Sequence, residues 1–182
     1  AIIGLEDEKV EEACTKVNNG FVKAVNYNCP GQVVVSGEKE AVLQAMEYAK
    51  ELGARKAIEL KTSGPFHTEK LKDASVELRK ELEKINFKDF EIPVIKNLNG
   101  MAYTKEDNMV EILSNHVISP VKFGKSIETM INMGVDTFIE IGPGKTLSGF
   151  VKKVCKQMEK EVNVFNIENL ETLESTLEAL KQ

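Results

Sequence analysis

The sequence predicts an α/β protein: a ferredoxin-like βαββαβ subdomain over residues 1–62, then alternating helices and parallel strands over residues 63–182 that resemble the end of a larger core. Three observations predict it. In the first 62 residues, strand-length apolar runs and two stretches of helical period follow one another as β-α-β-β-α-β, the split βαβ arrangement. Beyond the turn Thr62-Ser63-Gly64-Pro65, strands are separated by helices, the pattern of parallel crossover units. The composition, 182 residues with 42% hydrophobic and 29% charged, is that of a folded globular chain of one or two domains.

Ala1 to Leu5 is an apolar run of strand length, and Val10, Ala13, Cys14 and Val17 recur at helical spacing across Glu6 to Val17. Phe21 to Asn28 alternates and reads as a strand. Cys29-Pro30-Gly31 breaks it, and the β-branched run Gln32 to Ser36 is the next strand. Lys39 to Leu52 carries Ala41, Val42, Ala45, Met46 and Ala49 on one stripe, so it is a helix, stopped by Gly53. Ala54 to Leu60 closes the subdomain as a strand. After the Gly-Pro turn, Leu71, Ala74, Leu78, Leu82 and Ile85 predict the buried face of a long helix. Ile92 to Leu98, Asp136 to Ile141 and Val162 to Ile167 read as strands. Asp107 to Val117, Val121 to Met133, Thr146 to Met158 and Leu170 to Lys181 read as helices. Three strands are few for an open parallel sheet, and its edges would be bare.

Composition also excludes functions. A net charge of −5 opposes nucleic-acid binding, which normally needs a basic face. The longest uncharged apolar runs fall far short of the roughly 20 residues that cross a bilayer, so no membrane span is expected. Ala1-Ile2-Ile3-Gly4-Leu5 meets Glu6-Asp7-Glu8 without a basic leader, which is not a signal peptide; a start inside a strand-like run suggests further chain upstream. Cys14, Cys29 and Cys155 are odd in number and widely spaced, which fits reduced thiols in a cytoplasmic protein rather than a disulfide framework or a metal site.

Only His67 and His116 are available for acid-base work near neutrality. Ser63-Gly64-Pro65-Phe66-His67-Thr68 is a tight turn that delivers His67 to the start of a helix, where an imidazole beside a serine or cysteine would be the base half of a nucleophilic pair; a partly exposed helix-end histidine is the plainer alternative. His116, near a helix C-terminus, reads as structural. Gly142-Pro143-Gly144-Lys145-Thr146 follows a strand and opens a helix, but a phosphate loop would need glycine at Ile139, so a structural turn is the better reading. Ser36, Ser63 and Ser148 all lack the paired glycines of a nucleophile elbow. Asn26-Tyr27-Asn28-Cys29 places amides between two strands, suited either to capping turn backbone or to an acyl or pantetheine amide. Cys29 has no basic neighbour in sequence to activate it.

Asn26 to Gly37, Ser63-Gly64-Pro65-Phe66-His67, Ser119-Pro120-Val121-Lys122-Phe123 and Glu140-Ile141-Gly142-Pro143-Gly144 resemble, in order and spacing, the malonyl-CoA:acyl carrier protein transacylases of fatty-acid synthesis and the related acyltransferase domains of polyketide synthases. The resemblance implies a ferredoxin-like subdomain set in an α/β-hydrolase-like core, with 63–182 as its C-terminal part. It also implies a serine-histidine acyl-enzyme that takes malonyl from malonyl-CoA to the phosphopantetheine thiol of acyl carrier protein, without a cofactor or metal. His67 matches the catalytic histidine, Asn28 and Phe66 match substrate-binding positions, and the backbone carbonyl of Lys122 matches the group that orients the imidazole. A bulky Phe66 resembles the malonyl-selective form of its motif.

The resemblance also implies what to miss. The nucleophile elbow, the carboxylate-binding arginine and the oxyanion-hole glutamine of that family lie upstream of the matched part, so this chain is expected to supply the histidine but not the serine, and to be inactive alone. The partners implied are malonyl-CoA, acyl carrier protein and a missing N-terminal part. A polyketide synthase fragment is one alternative. A non-catalytic carrier-binding module is another, supported by a local excess of Lys122, Lys125, Lys145, Lys152, Lys153 and Lys156 over Glu128, Asp136 and Glu140.

Overall fold

In the computed structural model, residues 1–62 and 64–181 are described. They form two compact units, 1–126 and 127–182. The first opens with β1 (Ile2–Ile3), α1 (Asp7–Thr15), β2 (Val22–Cys29), β3 (Gln32–Gly37), α2 (Lys39–Glu51) and β4 (Lys56–Ala57). The four strands make one sheet in the order β2-β3-β1-β4, with every pair antiparallel. Ile2 sits between Val33 and Ala57 in register.

Sequence pattern and packing agree in this sheet. Ile2, Val10, Val33, Ala45 and Ala49 are buried in one cluster with Ala13, Val35 and Met46. Each fully buried valine or isoleucine contributes about 1.5–3 kcal/mol relative to exposure. Ala24 and Val25 are both buried although neighbours; the register shifts between Ala24 and Asn26, a bulge, and Ala24 joins the core cluster while Val25 lies outside it. Gly37 ends β3 where a Cβ would stand 2.0 Å from the Phe21 carbonyl oxygen, so only glycine fits this close strand approach.

The rest of the first unit holds a 3₁₀ turn at Glu69–Leu71, α3 (Lys72–Leu82) and α4 (Met109–His116). Here the sequence misleads. The helix stops at Leu82 and leaves Ile85 53% exposed, and the buried residues of α3 are Ser75 and Leu82. Ser75 turns inward because its hydroxyl donates to the Ser114 carbonyl of α4 at 2.7 Å. Ile92 to Leu98 is not a strand but carries one bridge, Ile95 to Ala102. Pro93 has no N–H to give a ladder, and the chain doubles back at once: Lys96 N–H donates to Met101 and Tyr103 N–H to Val94. β4 is likewise shorter than Ala54 to Leu60: past Ala57 the pairing is reduced to a reciprocal pair of bonds, Ile58 N–H donating to the Ala1 carbonyl and the Ala1 ammonium to the Ile58 carbonyl.

α5 (Phe123–Asn132) leads into β5 (Thr137–Ile141), α6 (Thr146–Met158), β6 (Asn163–Ile167) and α7 (Leu170–Ala179). β5 and β6 are parallel and in register from Thr137–Asn163 to Ile141–Ile167, so among the described residues this sheet has two strands, not the three expected. Phe150, Val151, Val154 and Cys155 form the buried face of α6. Among the described residues no helix is long and apolar enough to cross a membrane.

Candidate active site

His67 is placed by backbone chemistry. The Thr68 side chain is fully buried and its hydroxyl donates to the Pro65 carbonyl at 2.6 Å, closing the turn. That turn holds His67 at φ +59°, a left-handed conformation that costs a β-carbon residue about 1–2 kcal/mol. The helix proper begins only at Lys72, so the histidine stands ahead of it on the turn. Ser63, at the start of the same motif, lies outside the described residues.

The ring nitrogen Nδ1 of His67 lies 3.2 Å from the main-chain carbonyl of His116. A carbonyl can only accept, so Nδ1 carries the proton and, in the neutral ring, Nε2 keeps its lone pair. The two imidazoles face each other with centroids 5.2 Å apart and planes tilted by 35°. Nε2 of His116 is buried and has no hydrogen-bond partner. Burial holds its pKa below the ordinary histidine value, and the charge of a protonated His67 pushes the same way.

Lys122 is elsewhere. Its carbonyl accepts from Ser126, from the backbone N–H at 3.0 Å and from the hydroxyl at 3.2 Å, so the carbonyl that faces His67 is that of His116. The Lys122 ammonium lies 3.1 Å from the centroid of the Tyr27 ring. Burial lowers its pKa, opposed by Glu11 and Asp7. The Tyr27 hydroxyl donates to Glu11, and burial first and this bond second raise the phenol.

Two hollows meet at Phe66, which is 49% exposed. One, of about 550 Å³, is lined by Asn26, Ser36, Lys39, Lys61 and Thr62 among others. The other, of about 480 Å³, is apolar and lies against Leu78, Leu82, Leu113 and the two histidines. Asn28 lines neither; Asn26, its neighbour two residues back, lines the first. Alternation along β2 cannot separate the two amides, since both carry the same parity.

Four of the serines among the described residues have their hydroxyls committed. The hydroxyls of Ser75, Ser114, Ser126 and Ser148 donate to Ser114, Glu111, Lys122 and Glu140 respectively. Burial pushes the thiol of Cys14 up to about 12 and raises that of Cys155, so neither is a ready thiolate. The turn before α6 is also filled: the Glu140 carboxylate accepts from the Ser148 hydroxyl at 2.6 Å, from Ser148 N–H at 2.8 Å and from Leu147 N–H at 3.1 Å. The helix N-terminus that an anion would use is thus occupied by the protein's own carboxylate. Among the described residues no cluster of side chains could hold a metal ion.

The family model described as the acyl transferase domain matches residues 1–175. A malonyl CoA-acyl carrier protein transacylase of Bacillus subtilis (strain 168) is 41% identical over the whole of this chain. The crystal structure of a malonyl CoA-acyl carrier protein transacylase from Clostridium perfringens superposes with a TM-score of 0.93 at 47% identity, covering all of this chain and 56% of that one. A malonyl-transacylase solved in complex with a holo type II polyketide acyl-carrier protein superposes at 0.90, with 33% identity over 98% of this chain and 57% of that one. The chain spans 57% of the length of its Bacillus relative.

Proposed function

The chain belongs to the acyl transferase domain family, and on that premise we propose that it is the histidine-bearing part of a malonyl-CoA:acyl carrier protein transacylase. The observation that carries the reading is the tautomer of His67: Nδ1–H is committed to the His116 carbonyl, which leaves Nε2 to accept a proton. In this reading the nucleophile is a serine on the remainder of the protein, outside these 182 residues. Nε2 of His67 takes the serine proton as the oxygen attacks the malonyl thioester carbonyl. The carbon–sulfur bond breaks, the proton passes to the departing CoA thiolate, and a malonyl-serine ester remains. In the second half the phosphopantetheine thiol of acyl carrier protein gives its proton to Nε2 and attacks the ester. The malonyl group leaves on the carrier and the serine recovers its proton.

The same reading takes residues 1–62, with strand order β2-β3-β1-β4, as the ferredoxin-like small subdomain and 63–182 as the C-terminal part of an α/β-hydrolase-like core. It gives Phe66 the role of crowding the α-carbon of the acyl group and Asn28 that of an amide facing the substrate. The imidazole-orienting carbonyl assigned by resemblance to Lys122 falls to His116. The setting is cytoplasmic. The test is complementation: this chain mixed with a fragment carrying the remaining, serine-bearing sequence is expected to transfer malonyl to carrier protein. No gain over the serine fragment alone would overturn the proposal.

A second reading, a carrier-binding module without catalysis, is favoured by Lys152, Lys156 and Lys160 around a hollow of about 580 Å³, though Asp136 and Glu161 line it as well. Binding of carrier protein by this chain alone at low salt, weakening as salt is added, would favour it.

A further inference from the structure

We propose that the side-chain ring of His116 is a second restraint on the imidazole of His67, beside the main-chain carbonyl already described, an inference that rests on the reading of His67 as the proton acceptor. An imidazole held at one nitrogen alone can still pivot about that bond, which swings the opposite nitrogen through an arc. His116 supplies both restraints. Its main-chain carbonyl takes the Nδ1 proton at 3.2 Å, and its ring lies against the His67 ring at 5.2 Å between centroids. The carbonyl is free for this because His116 is the last residue of α4, where helix carbonyls have no partner one turn on; its other bond, from Ser119 N–H, is long at 3.4 Å.

The support is anchored by a buried bond. α4 is tied to α3 by the buried bond from the Ser75 hydroxyl to the Ser114 carbonyl, two residues before His116. The His116 ring is also kept uncharged by its surroundings: Leu78, Leu82, Leu113 and Val117 line the apolar hollow that both rings face, and Nε2 of His116 is buried with no partner to stabilise a proton there. An uncharged planar ring therefore stands beside His67 when His67 takes its proton. Such a buried unpartnered nitrogen calls for an explanation other than stability.

The test compares His116→Phe, which keeps an uncharged planar ring, with His116→Ala, which removes it. Both keep the backbone carbonyl. Nitrogen-15 chemical shifts of His67 in this chain report which ring nitrogen carries the proton. The Nδ1–H form is expected to dominate in the parent and in His116→Phe, and to lose population to the Nε2–H form in His116→Ala. In the complete enzyme, His116→Ala is expected to lower kcat for malonyl transfer roughly 10- to 100-fold with KM for malonyl-CoA unchanged, and His116→Phe to stay within about twofold. If His116→Ala does not fold, as judged by its thermal melt, His116→Leu replaces it: the volume is kept and the planar ring lost. Unchanged tautomer and kcat on loss of the ring, or an equal fall in His116→Phe, would overturn the proposal. A parent enzyme with no malonyl transfer would instead overturn the functional reading and leave the tautomer comparison standing.

Discussion

At the scale of the residue, His67 is held at a cost. Its left-handed backbone is fixed by the buried Thr68 hydroxyl on Pro65, and its ring by the carbonyl at the end of α4. A side chain placed with such care is expected to matter to rate far more than to folding. His67→Ala in the complete enzyme is predicted to slow serine acylation by about 10²- to 10⁴-fold, the usual share of a general base, measured as the single-turnover burst. Unchanged acylation would remove His67 from the chemistry. Phe66, one residue back, is half-exposed at the meeting of two hollows, so its bulk shapes what can lie beside His67. Phe66→Ser is predicted to reduce the preference for malonyl over methylmalonyl by about 1–3 kcal/mol, roughly 10- to 200-fold in the ratio of kcat/KM values. The histidine and its turn were legible in the sequence. The His116 carbonyl was not, because a backbone acceptor leaves no residue-type signature, and its ring read as an ordinary helix end.

At the scale of the element, α6 shows how a helix start can imitate one function while serving another. Glu140 ends its carboxylate on two N–H groups and one hydroxyl at the start of α6, so Glu140→Ala is predicted to lower stability by roughly 0.5–2 kcal/mol, as loss of a cap does, read as a shift of the denaturant midpoint. The Ser148 hydroxyl first, then the backbone N–H groups, hold the Glu140 pKa below its ordinary 4.5. A group depressed in the folded state stabilises fully above its unfolded pKa and loses that contribution as pH falls through the depressed value. The gap between parent and Glu140→Ala is therefore expected to be constant at neutral pH and to shrink below about pH 4. α2 and α6 were legible to within a residue because apolar stripes of period 3.6 run their full length. Ile92 to Leu98 was not, since an apolar run says nothing of whether a partner strand lies beside it, and Pro93 had already withdrawn a donor. The buried Ser75 of α3 escaped for a related reason: its partner is a carbonyl on another helix.

At the scale of the whole molecule, the stretch after residue 126 exposes several large apolar side chains. Ile141 is 81% exposed and Leu170 70%, with Ile139, Leu173 and Leu177 also open, and among the described residues the β5-β6 sheet has two strands. Apolar surface of this extent belongs against something, and on the reading above its cover is the remainder of the enzyme. This chain alone is therefore expected to bind a hydrophobic dye, and complementation by the serine-bearing fragment is expected to lower that fluorescence; equal fluorescence before and after would argue against the cover. The sheet of residues 1–62 has a different consequence, one of time. Among the described residues, β2 and β3 are joined by the two residues Pro30 and Gly31, whereas Ile2 must find Val33 and Ala57 across some 30 and 55 residues. Closing a short hairpin takes microseconds, and long loops pay their closure entropy before any contact rewards it. The hairpin that carries Asn26 and Asn28 is thus the piece that forms first, and β1 and β4 are the last to dock. Substitutions at Val35 should slow refolding, while those at Ile2 should chiefly hasten unfolding.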